Sequence, residues 1–366
     1  MQDHPYRRLP SHHFWRAAVS MAGPTGLEPD AGGFDPVGDP PFRIGPGDQV
    51  AAAGSCFAQH IARNLRGAGF SFLQTEGADD GNPFSARFGN IYTARQLRQL
   101  LLRAYGLVRP IDEVWLLPNG RYVDPFRPQM LGESGLGLAS AGAVIDAREA
   151  HFAAVREMFE TCTVFIFTLG LTEAWLTEDG MALPVPPGVL GVTEGASAAL
   201  FHNLGLSQVC EDLEQVLADI WLVNPQLRLI FTVSPVALAA TYEPRHVMLS
   251  NTLSKATLRL AAEMMRERHA RVCYFPSYEI VTAPVNAAGA FEADLRSVSP
   301  LGVAQVMALF NLHMLADGEP AAAVTAGPAS PMIPAAAAVS DEERAAYEAR
   351  TRIICDEDLL AKGMTA

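Results

Sequence analysis

Residues 49–65 read QVAAAGSCFAQHIARNL. The opening run, 49–53, is apolar and too short for a helix, whereas from Phe57 the sequence takes on a helical period. Between the two lie Gly54, Ser55 and Cys56, so the stretch reads as strand, turn, helix. Gly54 permits a tight turn that a side chain would obstruct. A serine in such a turn presents its hydroxyl to solvent, and the first backbone N–H groups of the helix can receive an oxyanion. The same serine could serve only as a helix N-cap. A phosphate loop is disfavoured, because neither G-x-G-x-x-G nor a Walker lysine is present.

Three further short apolar runs, 164–169, 227–233 and 272–275, are consistent with buried strands. Segments of helical period occupy 57–65, 93–104, 149–159, 207–223, 251–269 and 299–315. Thr93 is a good N-cap for the second, and Ser299 with Pro300 at the first helical position starts the last. This alternation predicts an α/β domain with a mostly parallel sheet covered on both faces. Residues 76–148, rich in Gly, Pro and aromatics, fit the alternation poorly and read as an insertion folded over the sheet edge. A second irregular stretch covers 183–203. One domain over 1–317 is expected, then an Ala/Pro-rich linker and an acidic tail over 318–366, with a candidate helix at 340–360.

A chain of 366 residues can bury a large core, and 49% hydrophobic against 18% charged residues excludes the disordered class. With 27 Lys+Arg against 40 Asp+Glu the net charge is −13, which argues against nucleic acid or an anionic membrane surface as partner. The five cysteines, Cys56, Cys162, Cys210, Cys273 and Cys355, are scattered, odd in number and without zinc spacing. They read as reduced thiols of a cytoplasmic protein. The N-terminus lacks the apolar core of a secretory signal, and no stretch is long enough to span a bilayer. A soluble cytoplasmic protein without metal or cofactor is the expectation.

In an open α/β sheet, sites form beyond the carboxyl ends of the strands. All four runs end in small or polar residues: Gly54-Ser55-Cys56, Gly170-Leu171-Thr172-Glu173, Ser234-Pro235, and Ser277-Tyr278-Glu279 after Pro276. They are candidates for one shared crevice. Lys255, in the first turn of its helix, is a candidate anchor for an anionic substrate. Cys56 is a rival nucleophile, because a thiol at a helix N-terminus is acidified, although its place one residue into the helix favours burial.

Gly54-Ser55-Cys56-Phe57-Ala58 resembles the signature of the GSCFA family, a branch of the SGNH/GDSL-like hydrolase superfamily. The stretches 82–93, 167–175, 232–236, 254–255 and 275–280 resemble further family blocks in the same order, so the resemblance spans roughly 6 to 315. It implies a three-layer, flavodoxin-like α/β/α sandwich and a serine esterase or O-acyltransferase, with Ser55 as nucleophile. Ser55 N–H and Gly89 would hold the oxyanion, with Asn90 beside them. Thr172 stands where the superfamily's third block offers an asparagine. The fourth block, Asp-x-x-His, supplies the acid that orients the base. Here the chain reads Asp294-Leu295-Arg296-Ser297, with the acid present and a hydroxyl in place of the imidazole.

A serine hydroxyl is no general base near neutral pH, whereas imidazole is. Of the nine histidines, His246 is the best substitute, because it follows the third strand on the carboxyl side of the sheet, and His202 is the next. Glu173 is a third option, since an enclosed carboxylate can gain basicity. Ser234 joins Gly89, Asn90, Thr172, Glu173 and Lys255 as a candidate substrate contact. Two functions stay open: acyl chemistry on a small-molecule or carbohydrate ester, and a binding protein that keeps the pocket without its base.

Overall fold

The computed structural model describes residues 4–19, 34–77, 84–132, 135–192, 196–286 and 289–316. The expected tail and its helix lie outside the described residues. Strand β1, Val50–Gly54, is buried along its whole length and is followed by α1, Ala58–Gly67. Then come α2 (Ala94–Ala104), α3 (Ala141–Thr161), β2 (Val164–Leu169), β3 (Glu173–Thr177), β4 (Ala182–Leu183), β5 (Ala199–Asn203) and α4 (Leu206–Val223). The chain closes with β6 (Arg228–Val233), α5 (Val247–Arg268), β7 (Val272–Tyr274), α6 (Ser277–Thr282) and α7 (Pro300–Met314).

The central sheet is parallel, in the order β1-β2-β6-β7, with Val50 opposite Val164, Arg228 opposite Val164 and Leu229 opposite Val272. Both faces are apolar because both are covered. Ala51, Ala53, Phe165, Phe167, Leu229 and Phe231 point to a layer formed by α2, α3, α4 and α5. Val50, Ala52, Ile166 and Ile230 point to the opposite layer of α1, α6 and α7. The two-residue alternation thus divides one sheet between two cores, giving a three-layer α/β/α sandwich.

The helix ends follow their caps. Thr93 accepts from Gln96 N–H in a capping box, Ser140 accepts from Ala143 N–H, and Ser299 accepts from Gly302 N–H with Pro300 next in line. α3 starts eight residues before the expected Glu149, because its Ala-Gly-Ala opening carries no apolar face to read. Ser277–Thr282, expected as a strand-end loop, is the short helix α6.

The two irregular stretches divide differently from expectation. Within 76–148, α2 belongs to the main core through Leu97, Leu100 and Leu101. The hairpin Trp115–Leu116 with Tyr122–Val123 packs instead on a second, antiparallel sheet of order β4-β3-β5. Its strand β5 lies inside 183–203 and pairs with β3, Glu173 opposite Asn203. Because β5 is only partly buried, it shows no apolar run.

Buried charge fastens this region to the main body. The Asp124 carboxylate, fully buried, receives Arg103 from α2 at 3.1 Å and Arg148 from α3 at 2.6 Å. Burial alone would raise the Asp124 carboxyl, but the two guanidinium groups reverse the sign and hold it below its ordinary value. Beside it, Glu76 takes His151 at 2.6 Å and Arg127 at 3.5 Å.

Candidate functional site

β1 is the strand from which successive connections leave in opposite directions. After α1 the chain returns beside β1, where Val50 bridges Phe72 in parallel. It then crosses through α2 and α3 to β2 on the other side. Crevices form at such switch points, beyond the strands' carboxyl ends. Ser55 stands there, one residue past β1.

Gly54 makes this placement possible. Its φ is +138°, and a Cβ at that position would lie 2.4–2.8 Å from the Thr168 backbone on β2. No side chain fits. Ser55 N–H continues the sheet by donating to Thr168 O at 3.0 Å, so it is committed to the ladder rather than offered to an oxyanion. The segment from Gly89 to Thr93 closes over the strand ends: Ile91 N–H donates to Gly54 O at 2.8 Å and Gly170 N–H to Tyr92 O at 2.9 Å.

Ser55 is 2% exposed, yet it borders a cleft of about 220 Å³ of unfilled space. Among the described residues its hydroxyl has no hydrogen-bond partner. Gly170 lies against it, since a Cβ on Gly170 would come within 3.3 Å of the Ser55 Cβ and 2.8 Å of the Tyr92 ring. Lys255, 1% exposed, enters the same cleft from α5 and donates from Nζ to Gly170 O at 2.7 Å. Ser234 also lines it, its Oγ accepting from Val236 N–H at 3.3 Å, and Cys56 sits at its edge. Three of the four strand ends therefore meet. The fourth does not: Glu279 pairs with Arg259 at 2.7 Å and accepts from the Tyr274 hydroxyl at 2.8 Å.

The remaining candidates occupy other positions. Asn90 lines a neighbouring cavity of about 350 Å³ with Phe88, Arg103 and Phe126. Gly89, at φ +72°, faces Gln129, whose Oε1 would lie 2.6 Å from an added Cβ. Thr172 is tied on both sides, its hydroxyl donating to Asn203 Oδ1 at 2.7 Å and its N–H to Ser254 Oγ at 3.0 Å. Glu173 turns to the loop after β6 and accepts from the Thr241 hydroxyl at 2.5 Å and from Tyr242 N–H at 3.1 Å.

Neither substitute histidine reaches Ser55. His246 is exposed and caps α5, its Nδ1 accepting from Met248 N–H at 3.2 Å. His202 contacts Gln208 at 3.1 Å. Asp294 spends its carboxylate within its own loop, accepting from Ser297 Oγ at 2.6 Å and from the N–H groups of Arg296 and Ser297 at 2.9 Å. Burial works against the charge, but these hydrogen bonds hold the Asp294 carboxyl below its ordinary value. The loop lies on the carboxyl side of the sheet, because Arg296 Nε donates to Ala237 O at 3.0 Å, beside the cleft residues Val236 and Leu238. Tyr92, Val236 and Leu238 escaped the sequence reading as lining residues. Tyr92 and Val236 lay within the recognised blocks 82–93 and 232–236, but no pattern marked Leu238.

The GSCFA family's model matches residues 49–310 of this sequence. A search of curated proteins finds no match. Among solved structures, the chain is similar to a Clostridium thermocellum family 3 carbohydrate esterase at 11% identity. That alignment covers 72% of this chain and 94% of the esterase, with a TM-score of 0.29.

Proposed function

The chain belongs to the GSCFA family, and on that premise we propose that it acts on a short acyl ester through an acyl-enzyme on Ser55. One observation carries this reading. A buried serine follows the first strand at the switch point of a parallel sheet and borders a cleft. Such a hydroxyl attacks an acyl carbonyl when a base takes its proton and donors receive the oxyanion. The approach to Ser55 is confined, the residue being 2% exposed with Gly170 and the Tyr92 ring packed together beside it, and this favours a short acyl group such as acetyl. Hydrolysis and transfer share the same acyl-enzyme and differ in whether water or an alcohol resolves it.

A fluorophosphonate probe tests the reading. Labelling of Ser55 that vanishes in Ser55→Ala, with faster turnover of a p-nitrophenyl acetate than of an octanoate, is the expected result. A second reading, ligand binding without catalysis, is favoured by Ser297 at the imidazole position and by the unpartnered Ser55 hydroxyl. Silence of the intact folded protein toward several probes of different size would support it and end the acyl-enzyme reading.

A further inference from the structure

We propose that Lys255 is the general base for Ser55, an inference that rests on the acyl-ester reading above. The imidazole expected on the Asp294 loop is replaced by Ser297, whose hydroxyl is given to Asp294. His246 caps a helix, His202 meets Gln208, and Glu173 is bound to Thr241 and Tyr242. Among the described residues, the titratable side chains that line the Ser55 cleft are Cys56, Tyr92 and Lys255. Of these, Lys255 is an amine, 1% exposed, that lines the cleft together with Ser55 and donates to the carbonyl of Gly170, the residue packed against the Ser55 side chain.

Gly170 joins the two groups. Its carbonyl takes Lys255 Nζ at 2.7 Å, and its Cα side lies against the Ser55 side chain. The carbonyl is thus the third member that orients a base in nucleophile–base pairs. Removal from water favours the neutral form of an amine, which is how lysines come to act as bases. A neutral amine can keep an N–H on the Gly170 carbonyl and still present a lone pair. Contacts of this kind commonly tighten only once substrate is held.

The chemistry balances with water as the sole co-reactant. As the Ser55 Oγ–carbon bond forms, the hydroxyl proton passes to Nζ and the carbonyl pair moves onto oxygen. When that pair returns, the bond to the alcohol breaks and the ammonium gives its proton to the departing oxygen. Water then attacks the acyl-Ser55 carbon, Nζ takes a proton from it, and the proton passes to Ser55 Oγ as the acid leaves.

The test is the rate of fluorophosphonate labelling of Ser55 across pH, in the full chain. In Lys255→Met the rate is expected to fall about a thousandfold or more, the scale of losing the base of a serine nucleophile. The rise of rate with pH should vanish with it. Lys255→Cys treated with 2-bromoethylamine, which restores a less basic amine, is expected to recover labelling with its rising limb moved to lower pH. Native protein given the same treatment is the control, and this rescue decides the matter where Lys255→Met does not fold. Labelling within a few-fold of native in Lys255→Met, or a restored protein whose limb does not move, overturns the role of Lys255 and leaves the Ser55 reading standing. Absence of Ser55-dependent labelling in the native protein ends both.

Discussion

The Ser297 hydroxyl donates to the Asp294 carboxylate at 2.6 Å, in the stretch where the resemblance to SGNH-like hydrolases implies an Asp-x-x-His block. Leu295, between them, has φ +54°, a left-handed conformation that side chains rarely adopt. Loops that hold such strain cluster at functional sites. Restoring an imidazole at this position should therefore find its orienting acid in place. Ser297→His is expected to raise the rate of Ser55 labelling at pH 7 by tenfold or more. It should add an inflection near the ordinary histidine value of about 6.5. An unchanged rate in a folded variant would mean that this loop does not serve Ser55.

Gly170 has no room for a side chain between Ser55 and Tyr92. Gly170→Ala is expected to crowd the cleft and lower labelling of Ser55 by at least tenfold while the thermal midpoint changes by only a few degrees. The clash falls chiefly on the edge of the Tyr92 ring, which is 4% exposed. Labelling at the native rate would place the reactive path elsewhere.

Asp124 neutralises two buried guanidinium groups, Arg103 and Arg148. Asp124→Asn leaves both cations without their shared anion, and breaking a buried pair in this way costs about 3–5 kcal/mol. Denaturant unfolding should show a loss of that order. A loss below about 1 kcal/mol would contradict the assigned role of the cluster.

His60, largely buried on α1, is lowered to about 4, chiefly by burial and also by the nearby charge of Arg63. In the unfolded chain its value is about 6.5. The unfolded state therefore binds the extra proton first as pH falls. The stability is fully present above about 6.5 and is lost as pH drops toward 4, on the order of 3 kcal/mol in total. His151, buried against Glu76, is lowered to about 4 by the same cause and adds to the effect. The fall in thermal midpoint between pH 7.5 and pH 5 is expected to shrink in His60→Leu. An equal fall in variant and native protein would remove His60 from the account.

Much of the sandwich was legible beforehand. A central strand buried on both faces must be apolar throughout, so β2 and β6 announced themselves within one residue. Caps such as Thr93 and Ser299 announced helix starts because their side chains satisfy backbone N–H groups locally. β3 and β5 were not legible. Their residues sit half-exposed on a small antiparallel sheet, so no apolar run or period marks them.

The sequence by itself determined the strand–turn–helix around Ser55 and the two-sided sheet, because each is a matter of local pattern. Tertiary structure alone decided which polar groups share a cleft. It sent Ser55 N–H to Thr168, Glu173 to Thr241, His246 to its own helix and Lys255 to the Gly170 carbonyl. Those outcomes depend on hydrogen-bond partners brought from distant segments, and satisfying a buried polar group is a property of the assembled neighbourhood rather than of any stretch of chain.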